Sequence, residues 1–205
     1  MSEYWHDDER RRVLHWYDFA CPFSYVGQCR NALLIEAGFE VVALPFQAHP
    51  GMPRGGLPVN PGGGPRYSLL EQEARAAGLE LRWPRRIPHT RRALAAAEWV
   101  RRNQPAVFGE FQRSLFEAHF VDGDDLDDQT VIDRHAAATG VDVRGLHFAL
   151  ADGSAAGAVS QAEWIGRQLG LDGTPAWLVD GRLMIGLQPA SAFERLTPMT
   201  VRVSR

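Results

Sequence analysis

The chain has 205 residues, 45% of them apolar and 23% charged, enough to bury a core within one domain or one domain that carries an insertion. Its net charge of -3 argues against a nucleic-acid protein, because phosphate binding needs a clustered excess of Arg and Lys. No run approaches the ~18 apolar residues that span a bilayer, and two cysteines are too few for a disulfide framework.

The first twelve residues show no apolar h-region followed by a small-residue cleavage site, so the expected location is the cytoplasm. Residues 13–19, Val-Leu-His-Trp-Tyr-Asp-Phe, are rich in aromatic and branched side chains and predict a buried strand. Pro22 then sits where a first helical turn tolerates proline, and the helix is expected to run through Ala37 with Gly38 at C′. Residues 40–47 resume β character, which makes a strand, helix, strand unit and favours a parallel pair with a crossover helix.

Residues 49–65 hold six Gly and five Pro and predict a loop with no core of its own. Gly62-Gly63-Gly64 lacks the Lys and Ser/Thr of a phosphate-cradling loop. From about Arg66 to Gly170 the pattern is helical almost throughout: residues 91–103, then an amphipathic helix marked by Phe108, Phe111, Leu115, Phe116, His119 and Phe120, then helices ending at Gly140 and Gly170. Residues 176–179 and 182–185 flank Asp180-Gly181, the strongest hairpin signal in the chain, and Pro189 opens a last helix.

Cys21-Pro22-Phe23-Ser24 lies between the first strand and the first helix. A helix N-terminus presents unpaired amides and the positive end of the macrodipole, so a thiol there is expected to have its pKa lowered and to act as a thiolate nucleophile. Cys29 lies eight residues on. On one helix the two would stand ~12 Å apart, too far for a disulfide, and Cys29 is expected in the core.

Other chemistries are less favoured. A calcium loop starting at Asp122 would need Gly at its sixth place and Glu at its twelfth, and it has Asp127 and Asp133 instead. The seven histidines show no zinc-ligand spacing, so no metal is expected. His119 reads as a hydrogen-bonded core histidine. The basic run Arg82, Arg85, Arg86, Arg91 and Arg92 reads as a solvated face, with a minor alternative in which some guanidinium groups reach the thiol and hold carboxylates.

The segment Trp16-Tyr-Asp-Phe-Ala-Cys-Pro-Phe-Ser-Tyr-Val-Gly27 resembles the active-site segment of the DsbA-like thioredoxin superfamily, in its branch related to polyketide-pathway isomerases and 2-hydroxychromene-2-carboxylate isomerases. Gly173-Thr174-Pro175, followed at once by a strand, resembles that family's cis-proline loop, and Leu187-Gln188-Pro189 its usual ending. The resemblance implies an α/β, thioredoxin-like fold, with a thioredoxin-like domain formed by residues 12–48 and 171–196 and a helical insertion at 66–170 whose last helix packs on the thioredoxin half. It implies a cis Pro175, where residue statistics alone favour trans. It also implies catalytic roles for Cys21 and Ser24, with Pro22, Phe23, Thr174 and Pro175 facing substrate.

The departure from the family lies at Ser24, which stands where dithiol oxidases carry their resolving cysteine. A serine can donate a hydrogen bond to the Cys21 thiolate but cannot close a disulfide. The expected activity is therefore DsbA-like thiol-disulfide exchange through a single cysteine, with glutathione or another low-molecular-weight thiol as cosubstrate and no tightly bound cofactor. The alternative is a glutathione-dependent isomerase or transferase acting on a small aromatic or polyketide-like compound, and a non-catalytic scaffold is a third reading. The oligomeric state is open, a homodimer included.

Overall fold

In the computed structural model the described residues are 12–60 and 64–196. The first strand, β1 (Arg12–Tyr17), is buried along almost its whole length. It leads through a short turn into α1 (Pro22–Glu36), which ends where Gly38 takes a φ of +84°. β2 (Glu40–Pro45) then pairs with β1 in parallel, Arg12 opposite Glu40 and Tyr17 opposite Pro45. This is the predicted unit, with each strand ending two residues early and β1 beginning one residue early.

The Gly/Pro-rich segment departs from its prediction. Leu57–Pro58 (β3) pairs antiparallel with Arg86–Ile87 (β4), 30 residues along the chain, to form a small flap. Gly56 makes this possible: its φ is +66°, and a Cβ there would lie 2.1 Å from the Ile87 carbonyl oxygen. The triple-glycine phosphate reading falls, but for Gly64, outside the described residues, as do the first eleven residues.

Between β3 and β4 runs α2 (Pro65–Ala76), and after β4 come α3 (Arg91–Asn103), α4 (Pro105–Glu117), α5 (Gln129–Ala138), α6 (Val143–Ala151) and α7 (Ser154–Gln168). α4 continues into a π-helical turn, Ala118–Asp122, rather than the uniform α-helix that the aromatic spacing predicts. The acidic segment before α5 caps that helix, with the Asp128 carboxylate accepting from the Thr130 amide at 2.8 Å. Among the described residues no helix is long and apolar enough to cross a membrane.

β5 (Ala176–Val179) and β6 (Arg182–Ile185) form the predicted hairpin, with Asp180 and Gly181 at φ +48° and +76°. β5 pairs antiparallel with β1, so the sheet order is β2-β1-β5-β6. Pro189 caps the final helix, α8 (Ala190–Glu194).

Two faces of the sheet are covered. On one, α7 packs against Trp16, Leu44 and Leu178, and the Trp16 indole N–H donates to the Ala162 carbonyl at 3.1 Å. The Glu163 carboxylate joins α7 to the sheet by accepting from the Gln47 amide and from Arg91 of α3. On the other face, His15 stacks on Trp177 with ring centroids 4.7 Å apart, and Asn31 of α1 bonds both rings. Burial pushes the His15 pKa down to about 3. The helices between β2 and β5 enclose a larger core built on Phe111, Leu115 and Phe116, and Tyr17 and Phe19 at the end of β1 reach into it.

Candidate functional site

The site follows from one register. Trp16 of β1 lies opposite Ala176 of β5. Because the strands are antiparallel, the residues that follow β1 come to lie beside those that precede β5. Asp18 to Cys21 thereby meet Thr174 and Pro175, more than 150 residues away in sequence.

Cys21 is the N-cap of α1, and its carbonyl accepts from the Ser24 and Tyr25 amides at 3.0 and 3.1 Å. Its thiol donates to the Thr174 carbonyl at 3.2 Å. The Thr174–Pro175 peptide bond is cis. Ser24 is fully buried, and its hydroxyl accepts from the Asp18 amide at 3.4 Å. Pro175 is buried behind Thr174, its ring 3.4 Å from where a Cβ on Gly27 would lie, so Thr174 rather than Pro175 reaches the cavity.

The expected lowering of the Cys21 pKa is not what this environment gives. Burial pushes the thiol up, because it removes the water that would solvate a thiolate, and the Asp18 carboxylate pushes the same way. The closeness of Thr174 and the hydrogen bonding of Ser24 oppose the shift without reversing it. Cys29 also departs from expectation. It is half-buried rather than in the core, its thiol donating to the Val26 carbonyl at 2.8 Å and accepting from Arg30 at 3.2 Å. Neither cysteine is in a disulfide.

Cys21 opens on a cavity of about 330 Å³, the size of small-molecule sites. Phe23 from α1, Tyr67 from α2, Trp83 and Phe120 give it aromatic walls, and the flap contributes Val59, Arg86 and Ile87. Tyr67 and Trp83 pack with centroids 4.5 Å apart, and the Trp83 indole is fixed by donation to Glu71. A second cavity of about 330 Å³ lies on the other side of Phe23 and Thr174, between α2 and the loop after β6, with Arg66, Glu73 and Gln188 in its wall.

Several lining residues escaped the sequence reading. Asp18 is buried with both oxygens in use, accepting from the Ala20 and Ala48 amides at 3.2 and 2.8 Å, and burial raises its pKa. The signal for it was an acid at the end of an otherwise apolar strand. Tyr67, Trp83 and Ile87 carried no signal. Of the basic run only Arg86 lines the thiol cavity, and its guanidinium donates to the Gly55 and Gly56 carbonyls. Arg91 serves Glu163, Arg92 the Asp127 carbonyl and Arg82 Glu80. His119 is buried as expected, yet its Nδ1 has no hydrogen-bond partner and its ring belongs to the cavity wall.

The family described as DSBA-like thioredoxin domain matches residues 12–196. Among solved structures the chain is similar to a probable DsbA oxidoreductase from Streptomyces coelicolor, with 25% identity over 92% of this chain and 88% of that one and a TM-score of 0.78. It is similar in fold to a 2-hydroxychromene-2-carboxylate isomerase, 18% identical over 95% of this chain and 100% of that one, TM-score 0.75. A third likeness is to the cytosolic disulfide reductase DsbM from Pseudomonas aeruginosa with GSH, 16% identical over 90% and 93% of the two chains, TM-score 0.62. Among curated proteins none matches.

Proposed function

This chain belongs to the DSBA-like thioredoxin domain family, whose relatives include oxidoreductases and isomerases, and we propose that it carries out thiol-disulfide exchange through Cys21 alone. The observation that carries this reading is the pairing of Cys21 with the Thr174 carbonyl at the mouth of a cavity, with Ser24 in the place of a resolving thiol. In the first step the Cys21 thiolate attacks a disulfide, forming a mixed disulfide at Sγ and expelling one thiolate. In the second a small thiol, as its thiolate, attacks the other sulfur of the mixed disulfide. Cys21 leaves as the thiolate and a new disulfide departs.

The second cavity, with Arg66, Glu73 and Gln188 beside Thr174, offers charged and amide groups suited to a small peptidic thiol such as glutathione. The DsbM structure with GSH is in keeping with that choice. Two unpaired cysteines suit a reducing compartment, and the reading sets the protein in the cytoplasm.

The aromatic walls around Cys21 favour a second reading, a glutathione-dependent isomerase or transferase acting on a small ring-bearing compound. Mass spectrometry of the protein incubated with oxidised glutathione, with and without Cys29→Ser, tests the first reading. The expected result is one glutathionyl group on Cys21 in both proteins, released by reduced glutathione. No adduct on Cys21, or an adduct confined to Cys29, rules out the exchange.

A further inference from the structure

α4 leaves its regular winding at Ala118, and the five-residue π-helical turn that follows carries His119. Such turns are rare and recur at functional sites. This one sets the imidazole between two cavities, the thiol cavity on one side and a smaller one of about 190 Å³ bounded by Pro84 and Asp124 on the other. The ring is 4% exposed and meets Phe120 edge-on, with centroids 4.7 Å apart.

A neutral imidazole has one nitrogen that donates and one that accepts, and buried polar atoms are nearly always paired. Nδ1 of His119 is not. Thr174 Oγ1, in the same wall, is likewise unpaired, while the charged groups there are held. Both Asp18 oxygens accept backbone amides, and the Arg86 guanidinium is held by two carbonyls. Burial lowers the His119 pKa to about 4, so at neutral pH the ring is uncharged.

With the ring N–H given to the Asp124 backbone, the free nitrogen is an acceptor. We propose that His119 is a specificity-determining residue of the thiol cavity, its imidazole accepting a hydrogen bond from a hydroxyl group on an uncharged, ring-bearing substrate laid against Phe23, Tyr67, Trp83 and Phe120. The assignment rests on the second reading above, in which the thiol cavity takes a small ring-bearing compound. It adds a polar selection rule to a pocket whose aromatic walls alone would sort ligands only by size and shape.

Binding of 1-naphthol and 1-methylnaphthalene, the same ring bearing a hydroxyl or a methyl group, tests it by calorimetry at pH 7.5. One hydrogen bond corresponds to a preference for the naphthol of roughly threefold to tenfold. His119→Phe removes that preference, and His119→Asn, whose amide can occupy the place of Nδ1, restores a measurable part of it. A preference that survives His119→Phe overturns the assignment, and so does failure of the wild-type protein to bind either compound. Should His119→Phe not fold, ¹⁵N NMR of the wild-type imidazole decides. The Nδ1 resonance moves with naphthol and not with methylnaphthalene, and an unmoved resonance overturns the assignment. Alkylation of wild-type Cys21 by iodoacetamide is scored separately, so a dead thiol and an indifferent His119 are distinguishable.

Discussion

At Cys21 two effects of opposite sign act on one sulfur. The N-terminus of α1 favours a thiolate, as the sequence predicts, but the dipole effect is ordinarily ~0.3–1 kcal/mol, while desolvation of a buried charge reaches several pKa units. Desolvation wins, and the thiol is pushed up. The residues at the site were legible, since Cys21, Ser24 and Thr174 lie in recognisable motifs. Their burial was not, because it depends on residues from α2, the flap and the π-turn. Two substitutions should move the thiol in opposite directions. Asp18→Asn removes a negative charge that raises the Cys21 pKa, so the pKa falls and iodoacetamide reacts faster at pH 7.5. Ser24→Ala removes a hydrogen bond that lowers it, so the pKa rises and the reaction slows. Alkylation rates measured across pH 6 to 10 give both pKa values, and a shift of either in the other direction refutes this account.

The flap and the π-turn show where local patterns stop being informative. Pro and Gly in residues 49–65 signal a loop correctly, but β3 exists only because β4 arrives from 30 residues away, and no periodicity records that meeting. The spacing from Phe108 to Phe120 fits an α-helix closely enough that one wider turn leaves no mark in the sequence. By contrast, the ends of α1 and α5 and the β5–β6 turn were readable, because Gly38, Gly140 and Asp180-Gly181 adopt conformations that their residue types favour. Gly56 is the element's weak point. Gly56→Ala places a methyl group against the Ile87 carbonyl at a positive φ, so the β3–β4 pair should separate. The expected result is a rise in the reactivity of Cys21 toward a bulky maleimide relative to iodoacetamide, with a melting temperature lower by a few degrees. An unchanged reactivity ratio would show that the flap does not limit access to the cavity.

On the scale of the whole molecule, the order of strands and helices was legible from alternating patterns and capping residues, while the polar contacts within the core were not. His15 lies in a strand that reads as apolar, and it is fully buried against Trp177 and Asn31. Histidines with folded pKa values of about 3 and 4, at positions 15 and 119, bind protons more weakly in the folded chain than in the unfolded one, whose value is near 6.5. Their contribution to stability is complete above pH 6.5 and is lost as pH falls toward the folded values. At pH 5 each should cost about 2 kcal/mol. Urea midpoints at pH 7.5 and pH 5 measure the sum, and His15→Gln should flatten the dependence by about half. A midpoint independent of pH in that range excludes both contributions.

The pairing of β1 with β5 also sets a clock. Cys21 and Thr174 are 153 residues apart, and at ~5–20 residues per second of synthesis the second follows the first by roughly 8 to 30 s. During that interval β1 has its parallel neighbour β2 but not β5, and the thiol has neither the Thr174 carbonyl nor the wall that Thr174 provides. It is an ordinary cysteine, open to any oxidant that the growing chain meets. The cysteine is made well before the strand that completes the centre it serves.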